Sequence, residues 1–330
     1  MATISDVAAR AGVSTATVSR ALNGKSTVDP ELAARVAAAA DELGYRPNGP
    51  ARNLRKQETA VLALIISDVE NPFFTAISRG VEDVAHTAGY SVVLCNSDDD
   101  PAKEREYLDV ALQERVAGVL LSPTGREAGA ELLRAHATPV VALDRPLPGG
   151  GDTVLVDSGN AAKNATLHLA EQGYLRIGCL TGPSGMPTAD ARLNGYREGL
   201  RTAGLADLGL VRHTEFRAAG ARRAARQLLD QEEPPDALLI ANNAMAVGVL
   251  ETLGELGLRA GRDVGVIAFD DAPWATLLDP PLSVVSQPAY DMGSLGAQLL
   301  LRRIGGDRGE PTTRTLSAHL VARGSTERST

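Results

Sequence analysis

The sequence predicts a mixed α/β chain: a small all-α unit at the N-terminus, then a large body of doubly wound parallel sheets in two lobes. Three observations lead there. Up to residue 46 the apolar side chains recur at helical spacing between capping residues. From Ala60 onward, short continuous apolar runs alternate with helical segments, and charge divides unevenly between the two parts. A chain of 330 residues is long enough for two or three domains with real cores.

Thr3 to Leu22, TISDVAARAGVSTATVSRAL, reads as two short helices joined by a tight turn. Thr3 caps the first, and Asp6, three residues on, completes a capping box. Ile4, Val7, Ala8 and Ala11 form its buried stripe, Gly12 stands where a left-handed C-terminal residue is needed, and Val13 plugs the turn. Ser14 caps the second helix, whose Val18, Ala21 and Leu22 face inward. Thr15, Ala16, Thr17, Ser19 and Arg20 then point outward. So small, hydroxyl-rich and basic a face packs poorly against protein and suits a groove lined with phosphates and base edges. The pair reads as a helix-turn-helix with the second helix as reader, although a plain helical hairpin with a wet face has the same spacing. Asn23 and Gly24 break that helix. Asp29 caps a third that begins with Pro30, buries Leu32, Val36, Ala39, Ala40 and Leu43, and ends at Gly44. Next comes Tyr45 to Lys56, YRPNGPARNLRK, with the composition of a basic linker.

Beyond it, VLALIIS (61–67) is a continuous apolar run, as expected of a strand buried on both faces of a parallel sheet. Helix 73–88, strand YSVVLCN, helix 101–114, strand VAGVLLS, helix 127–136 and strand PVVALD follow. The cycle starts over with DTVLVD (152–157), helix 159–172, RIGCLTG, helices 189–203 and 220–231, DALLIAN, helix 243–256 and DVGVIAFDD. Repeated strand-helix units imply two doubly wound lobes. SVVSQP, a helix over 288–304 and a terminal strand near 315–322 complete the chain.

The formal net charge is -8, but residues 1–57 hold eight Lys or Arg against five acids, +3, which leaves -11 on the rest. Only the N-terminal part has the sign to approach phosphate, and the acidic body resists lying along nucleic acid. Hydrophobic content of 44% with 3% aromatic residues describes cores built from Ala, Val and Leu. No basic-then-apolar leader and no run of eighteen apolar residues is present, so export and a membrane partner are not expected. Cys95 and Cys179 lie in apolar strand-like runs and read as small core residues, in keeping with a reducing cytoplasm.

In open α/β sheets a ligand lies beyond the carboxyl ends of the strands. Asp68, Asn71 and Phe73 follow the first run, Asp144-Arg145 follow PVVALD, Asn242 follows DALLIA, and Asp270-Asp271 follow VGVIAF. Arg192 lies within ADARLNGY, and Gln287 in the crossover SVVSQP. Carboxylates, amides and a guanidinium around a cleft match a polyol, while Phe73, Phe216 and Trp274 offer flat faces to a sugar ring. A lone Asp after a strand is more often a cap or turn residue, and for Asp68, Asp271 and Gln287 the two readings stand level.

GVSTATVSRALNG followed by LGYRPNGPARNL closely resembles the DNA-binding headpiece of the LacI/GalR (lac and galactose repressor) family, and the likeness continues through the body. It implies a head over 1–46, a hinge over 47–58 and a bilobed periplasmic-binding-protein-like (type I) effector-binding and dimerisation domain over 59–330. Lobe one would take about 59–157 plus 288–316, and lobe two about 158–287 plus the C-terminal end. It further implies a bacterial, cytoplasmic, nucleoid-associated repressor binding a palindromic double-stranded operator as a homodimer, with a sugar-like effector controlling affinity. RLNGY, IANNAMAVG and VIAFDD resemble the family's effector-contact segments and favour that role for Arg192, Asn242, Asp144 and Asp270. Asn243 stands where relatives often have Asp. On DNA, Arg20 would be bidentate to a guanine, Ala16 or the Thr15 methyl would meet a thymine methyl, and Ser14 would cap the reader. Thr17, Ser19 and Asn23 would anchor phosphates. Asn48 would cap a short hinge helix whose Leu54 wedges into the minor groove with Arg52 and Arg55 near phosphate. Gly49-Pro50 departs from the apolar residues usual there; a helical glycine costs roughly 1 kcal/mol, so this hinge orders less readily.

No GxSxG elbow, Walker loop or GxGxxG follows a strand, and Gly149-Gly150-Gly151 precedes a strand rather than a helix. The five histidines are scattered without metal spacing, so neither an enzyme nor a metal or other cofactor is expected. The alternative is a sugar-binding protein of the same fold with an incidental helical N-terminus and no DNA role.

Overall fold

The computed structural model describes residues 2–22, 28–45, 59–125 and 128–328. Asn23, Arg52, Arg55 and Leu54, and with them the expected hinge helix, lie outside the described residues. Contacts divide the chain into two compact units, Met1–Thr59 and Ala60–Thr330.

The first unit holds α1 (Ile4–Ala11), α2 (Thr15–Leu22) and α3 (Pro30–Glu42). The Thr3 side chain accepts from Asp6 N while the Asp6 carboxylate takes Thr3 N, so the capping box is formed in both directions. Gly12 closes α1 at φ 67°, a backbone shape that side chains other than glycine resist. Asp29 accepts from Glu31 N and Leu32 N at the start of α3, with Pro30 in the first turn. Val7, Ala8, Ala11, Val18, Val36, Ala39 and Ala40 make one small core, with Leu22, Leu43 and Tyr45 packed at its rim.

The second unit continues with β1 (Val61–Ile66), α4 (Pro72–Thr87), β2 (Ser91–Asn96), α5 (Pro101–Gln113), β3 (Gly118–Leu121), α6 (Ala128–Ala135), β4 (Val140–Leu143), β5 (Asp152–Val156) and α7 (Ser158–Glu171). Then come β6 (Ile177–Thr181), α8 (Pro187–Thr202), β7 (Val211–His213), α9 (Ala218–Leu229), β8 (Ala237–Ile240), α10 (Asn243–Glu255) and β9 (Gly265–Phe269). The last elements are β10 (Ser283–Ser286), α11 (Ala289–Ile304), β11 (Thr313–Leu316) and β12 (His319–Val321). Two six-stranded sheets result, ordered β11-β5-β4-β3-β1-β2 and β12-β10-β9-β8-β6-β7. Every pairing is parallel except β10 with β12. Each sheet is covered on both faces, which is why its central strands read as unbroken apolar runs.

Three details depart from the linear reading. DTVLVD, where the strand-helix cycle starts over, becomes β5 and pairs with β4 in the first sheet after only the loop Asp144–Gly151, without a crossover helix. The single terminal strand expected near 315–322 is two: β11 pairs with β5, and β12 with β10, because the chain changes sheets between Leu316 and His319. The three-residue edge strand β7 was not foreseen; VRH is too short and too polar to stand out. Crossings after β5, after β10 and between β11 and β12 make a three-segment waist between the lobes. The helix α11 returns to pack Ala289, Met292, Ala297 and Leu300 against the first sheet.

Candidate functional sites: the second helix of the head and the inter-lobe cleft

In the head, α2 buries Val18 and leaves Ser14, Thr15, Ala16 and Arg20 exposed, with Thr17 and Ser19 partly so. Ser14 Oγ accepts from Thr17 N at 3.1 Å and shares a 2.9 Å hydrogen bond with Thr17 Oγ1, which fixes the first turn. Arg20 lies back along the helix, its Nε donating to Ala16 O at 3.3 Å. The exposed face thus carries hydroxyls, a methyl and one guanidinium on a helix held from behind by α1 and α3.

In the body, Phe73, Asp144, Arg192, Phe216, Asn242, Asp270 and Gln287 all line one cleft between the lobes. Asp144 and Asp270 are the first residues past β4 and β9, and both sit in the left-handed region, at φ 67° and 73°. Few residues other than glycine adopt that shape, Asn and Asp more readily than most. Both are buried, and burial pushes both carboxyls above the ordinary carboxylate range. Asp270 accepts from Gln287 Nε2 at 2.6 Å and from Asn243 Nδ2 at 3.3 Å. For Asp144 the closest cationic atom is Arg145 Nε, 3.6 Å away.

Arg192 projects from α8, its guanidinium 4.3 Å above the Phe269 ring, with Nη1 donating to Ala241 O at 2.6 Å. Its buried Nε has no protein partner. Burial pulls this guanidinium below its usual value, and Asp270 and Asp144 work in the other direction. Arg145, also buried, donates to Asp99 Oδ1 at 2.5 Å and Pro123 O at 3.2 Å, while its Nε, facing Asp144, makes no hydrogen bond. The Asn242 side chain is largely committed to backbone: Oδ1 takes Met245 N at the head of α10, and Nδ2 donates to Phe216 O. Phe216 is half-buried with its ring over Gly182.

Trp274 corrects the sequence reading: it packs against the apolar core of the second sheet and is not among the cleft residues. Asp271 is paired with Arg323 at 2.8 Å, a structural role. Asp68 does line the cleft and is paired with Arg217 at 2.5 Å. Sequence reasoning missed Arg217, Phe74 and Asp99, and named Asn243 only as a departure from its relatives, without a role. Asn243 Nδ2 donates to Asn71 Oδ1 at 2.9 Å, joining a cap of α4 in one lobe to the first turn of α10 in the other. The only sequence signals were NPFF after Asp68 and Arg217 directly after Phe216.

A helix-turn-helix unit joined to a two-lobed body with a polar cleft is the build of a DNA-binding transcriptional regulator. Residues 3–48 match the bacterial regulatory proteins of the lacI family, and residues 166–326 a periplasmic binding protein-like domain. The ribose operon repressor of Escherichia coli (strain K12) is 37% identical over 308 residues, 92% of this chain and 93% of that protein. The HTH-type transcriptional repressor CytR of the same strain is 34% identical over 332 residues, 98% and 96% of the two chains. Among solved structures, the lac repressor dimer bound to operator and the anti-inducer ONPF superposes with a TM-score of 0.87 at 26% identity, covering 98% of this chain and 99% of that one. The transcriptional regulator CelR-cellobiose complex gives 0.75 at 33% identity, covering 98% and 100%. The chain belongs to the lacI family of bacterial transcriptional regulators. Its relatives are repressors rather than enzymes, and double-stranded operator DNA is its partner.

Proposed function

We propose that the chain acts as a homodimer on a palindromic operator, and that a small neutral sugar held in the inter-lobe cleft sets its affinity for that DNA. Residues 1–46 read the operator, 47–58 form the hinge, and 59–330 sense the sugar and dimerise. Such a protein works in the cytoplasm, at the nucleoid. The observation that carries the ligand class is the charge state of the cleft. Arg217 is met by Asp68 and Asp98, Arg145 by Asp99, and Arg192 lies in the field of Asp270 and Asp144. Of the three guanidiniums among the described cleft residues, two are ion-paired and Arg192 is taken up by the Phe269 ring and Ala241 O, which favours a neutral ligand over a phosphate or carboxylate. Asp144 retains acceptor capacity and Arg192 Nη2 has only a long 3.5 Å contact to Gln287 Oε1, which suits vicinal hydroxyls that both give and take hydrogen bonds. Phe73 and Phe216 add flat apolar faces.

The name of the ribose operon repressor relatives makes D-ribose the first effector to test, and the CelR-cellobiose complex makes cellobiose the disaccharide comparison. Titration calorimetry on the full chain with D-ribose, D-ribose 5-phosphate and cellobiose tests the class. Saturable binding of a neutral sugar is expected; preference for the phosphate overturns the reading.

Two half-sites need two readers, which supports a dimer. So does β2, the outer strand of the first sheet, which leaves Val93 and Leu94 about half exposed, apolar surface that a partner would cover. On DNA, Arg20 pairs with guanine O6 and N7, Ala16 or Thr15 meets a thymine methyl, and Thr17, Ser19 and Asn23 hold phosphates, with Ser14 capping the helix. Arg52 and Leu54 act from the hinge.

A further inference from the structure

Arg217 occupies the N-cap position of α9 but makes no side-chain cap hydrogen bond there. Its guanidinium reaches the other lobe instead: Nη1 lies 2.5 Å from Asp68 Oδ2 and Nη2 3.2 Å from Asp98 Oδ1. Both acceptors are also held from within their own lobe. Asp68 is buried just past β1, its Oδ1 taking Glu70 N at 3.0 Å. Asp98, just past β2 at φ 55°, is held by Asn96 Nδ2 at 2.9 Å and Lys103 Nζ at 2.6 Å. Arg217 also directly follows Phe216, whose carbonyl is gripped by Asn242 and whose ring rests on Gly182. One short segment therefore carries a cleft wall and the charge that ties that wall to the opposite lobe.

We infer that Arg217 is a positioning residue, an inter-lobe latch that holds the cleft closed over its ligand and so sets how long the ligand stays. The residence-time part rests on the sugar reading above; the closure part does not. A pair whose arginine is partly exposed is screened by salt, so the latch weakens as ionic strength rises. The latch is made without any ligand, so its loss lets the lobes part, speeds departure and makes entry no slower.

The test uses the full chain with Arg217→Gln, Arg217→Lys, Asp68→Asn and the Arg217→Gln/Asp68→Asn double variant. The inter-lobe distance is read by spin labels, one per lobe, without any sugar, and D-ribose dissociation by stopped flow. Expected for Arg217→Gln is a longer, broader inter-lobe distance and dissociation faster by about fivefold in low salt, with thermal midpoint close to the parent and association no slower. Arg217→Lys should fall between, the double variant should be no worse than the worse single one, and the difference from the parent should shrink between about 0.05 and about 0.5 M salt. An unchanged distance in Arg217→Gln overturns the latch. So do losses that simply add in the double variant, or a matching loss of thermal stability in every variant including Arg217→Lys. Failure of the parent to bind D-ribose counts against the ligand chosen, while the distance measurement still decides the latch.

Discussion

Replacing Gly182 with alanine tests whether the Phe216 ring is a wall of the ligand cleft. A Cβ at Gly182 would lie 2.2 Å from Phe216 Cζ and 2.5 and 2.6 Å from the two Cε atoms. Carbon atoms in contact sit at about 3.5–4.0 Å, so the ring must retreat by roughly 1.5 Å. The three nearest atoms all belong to the Phe216 ring, which is half-buried against the core on one side and faces the cleft on the other. The direction open to it is into the cleft. Overpacking ordinarily costs about 1–3 kcal/mol, and the swing relieves much of that, so the fold should survive. The volume then comes out of the ligand site, and D-ribose affinity should fall at least tenfold, about 1.4 kcal/mol. Calorimetry with D-ribose beside thermal unfolding reads both quantities. Adding Phe216→Ala removes the collision and should return stability to that of Phe216→Ala alone. Unchanged affinity in Gly182→Ala would refute the reasoning, because a displaced wall cannot leave its ligand untouched.

Three other outcomes are expected. Arg20→Ala should cost roughly 1–3 kcal/mol of operator binding and relax preference at one base position, read by binding to a set of single-base operator variants; an unchanged footprint and base preference would remove Arg20 from readout. Asp152 accepts from Arg303 Nε and Nη2 and from Thr312 N, fastening the start of β5 to the end of α11 and the approach to β11. Burial acts to raise this carboxyl, but Arg303 and Thr312 outweigh it and hold it below its ordinary value. Its contribution is therefore present at neutral pH and is lost as pH falls through the lowered value. Asp152→Asn should destabilise the body by about 2 kcal/mol in urea unfolding at pH 7, and by less in acid. Asp144 and Asp270 have the opposite sign: their raised values make their ionised forms unfavourable to the fold at neutral pH, relieved as pH falls through the raised range. Sugar hydroxyls favour the ionised carboxylates, so ligand affinity should weaken on acidification within that range, with proton release on binding. Calorimetry in two buffers of different ionisation enthalpy reads the released proton directly, and zero release across the acidic range would count against these two carboxylates as acceptors.

Much of the architecture was legible because its causes are local. Thr3, Asp6, Gly12, Ser14 and Asp29 each act within four residues of themselves, and the structure forms every one of those caps. The apolar runs were legible because strands covered on both faces have no polar alternation to disguise them. What failed was non-local. Nothing in TRTLSAHLV marks the point at which the chain leaves one sheet for the other, and β7 is an edge strand of three residues. Trp274 had the chemistry of a sugar platform, but its turn faces the core of the second sheet. Asp144 and Asp270 stood out because strand ends are where doubly wound sheets place ligands. Arg217 and Asn243 did not, because their partners, Asp68, Asp98 and Asn71, are far away in sequence and meet them only when the lobes come together.

The central claim is that a cationic head reads duplex sequence while an anionic bilobed body senses a metabolite. Fluorescence anisotropy of the full chain on labelled genomic fragments against random competitor, with and without D-ribose, addresses it most directly. The account predicts a fragment bound at least about 1,000-fold tighter than competitor, with steep salt dependence, and an affinity that the sugar shifts by about 5- to 150-fold. Equal binding to every fragment, unmoved by D-ribose or any other sugar, would contradict it.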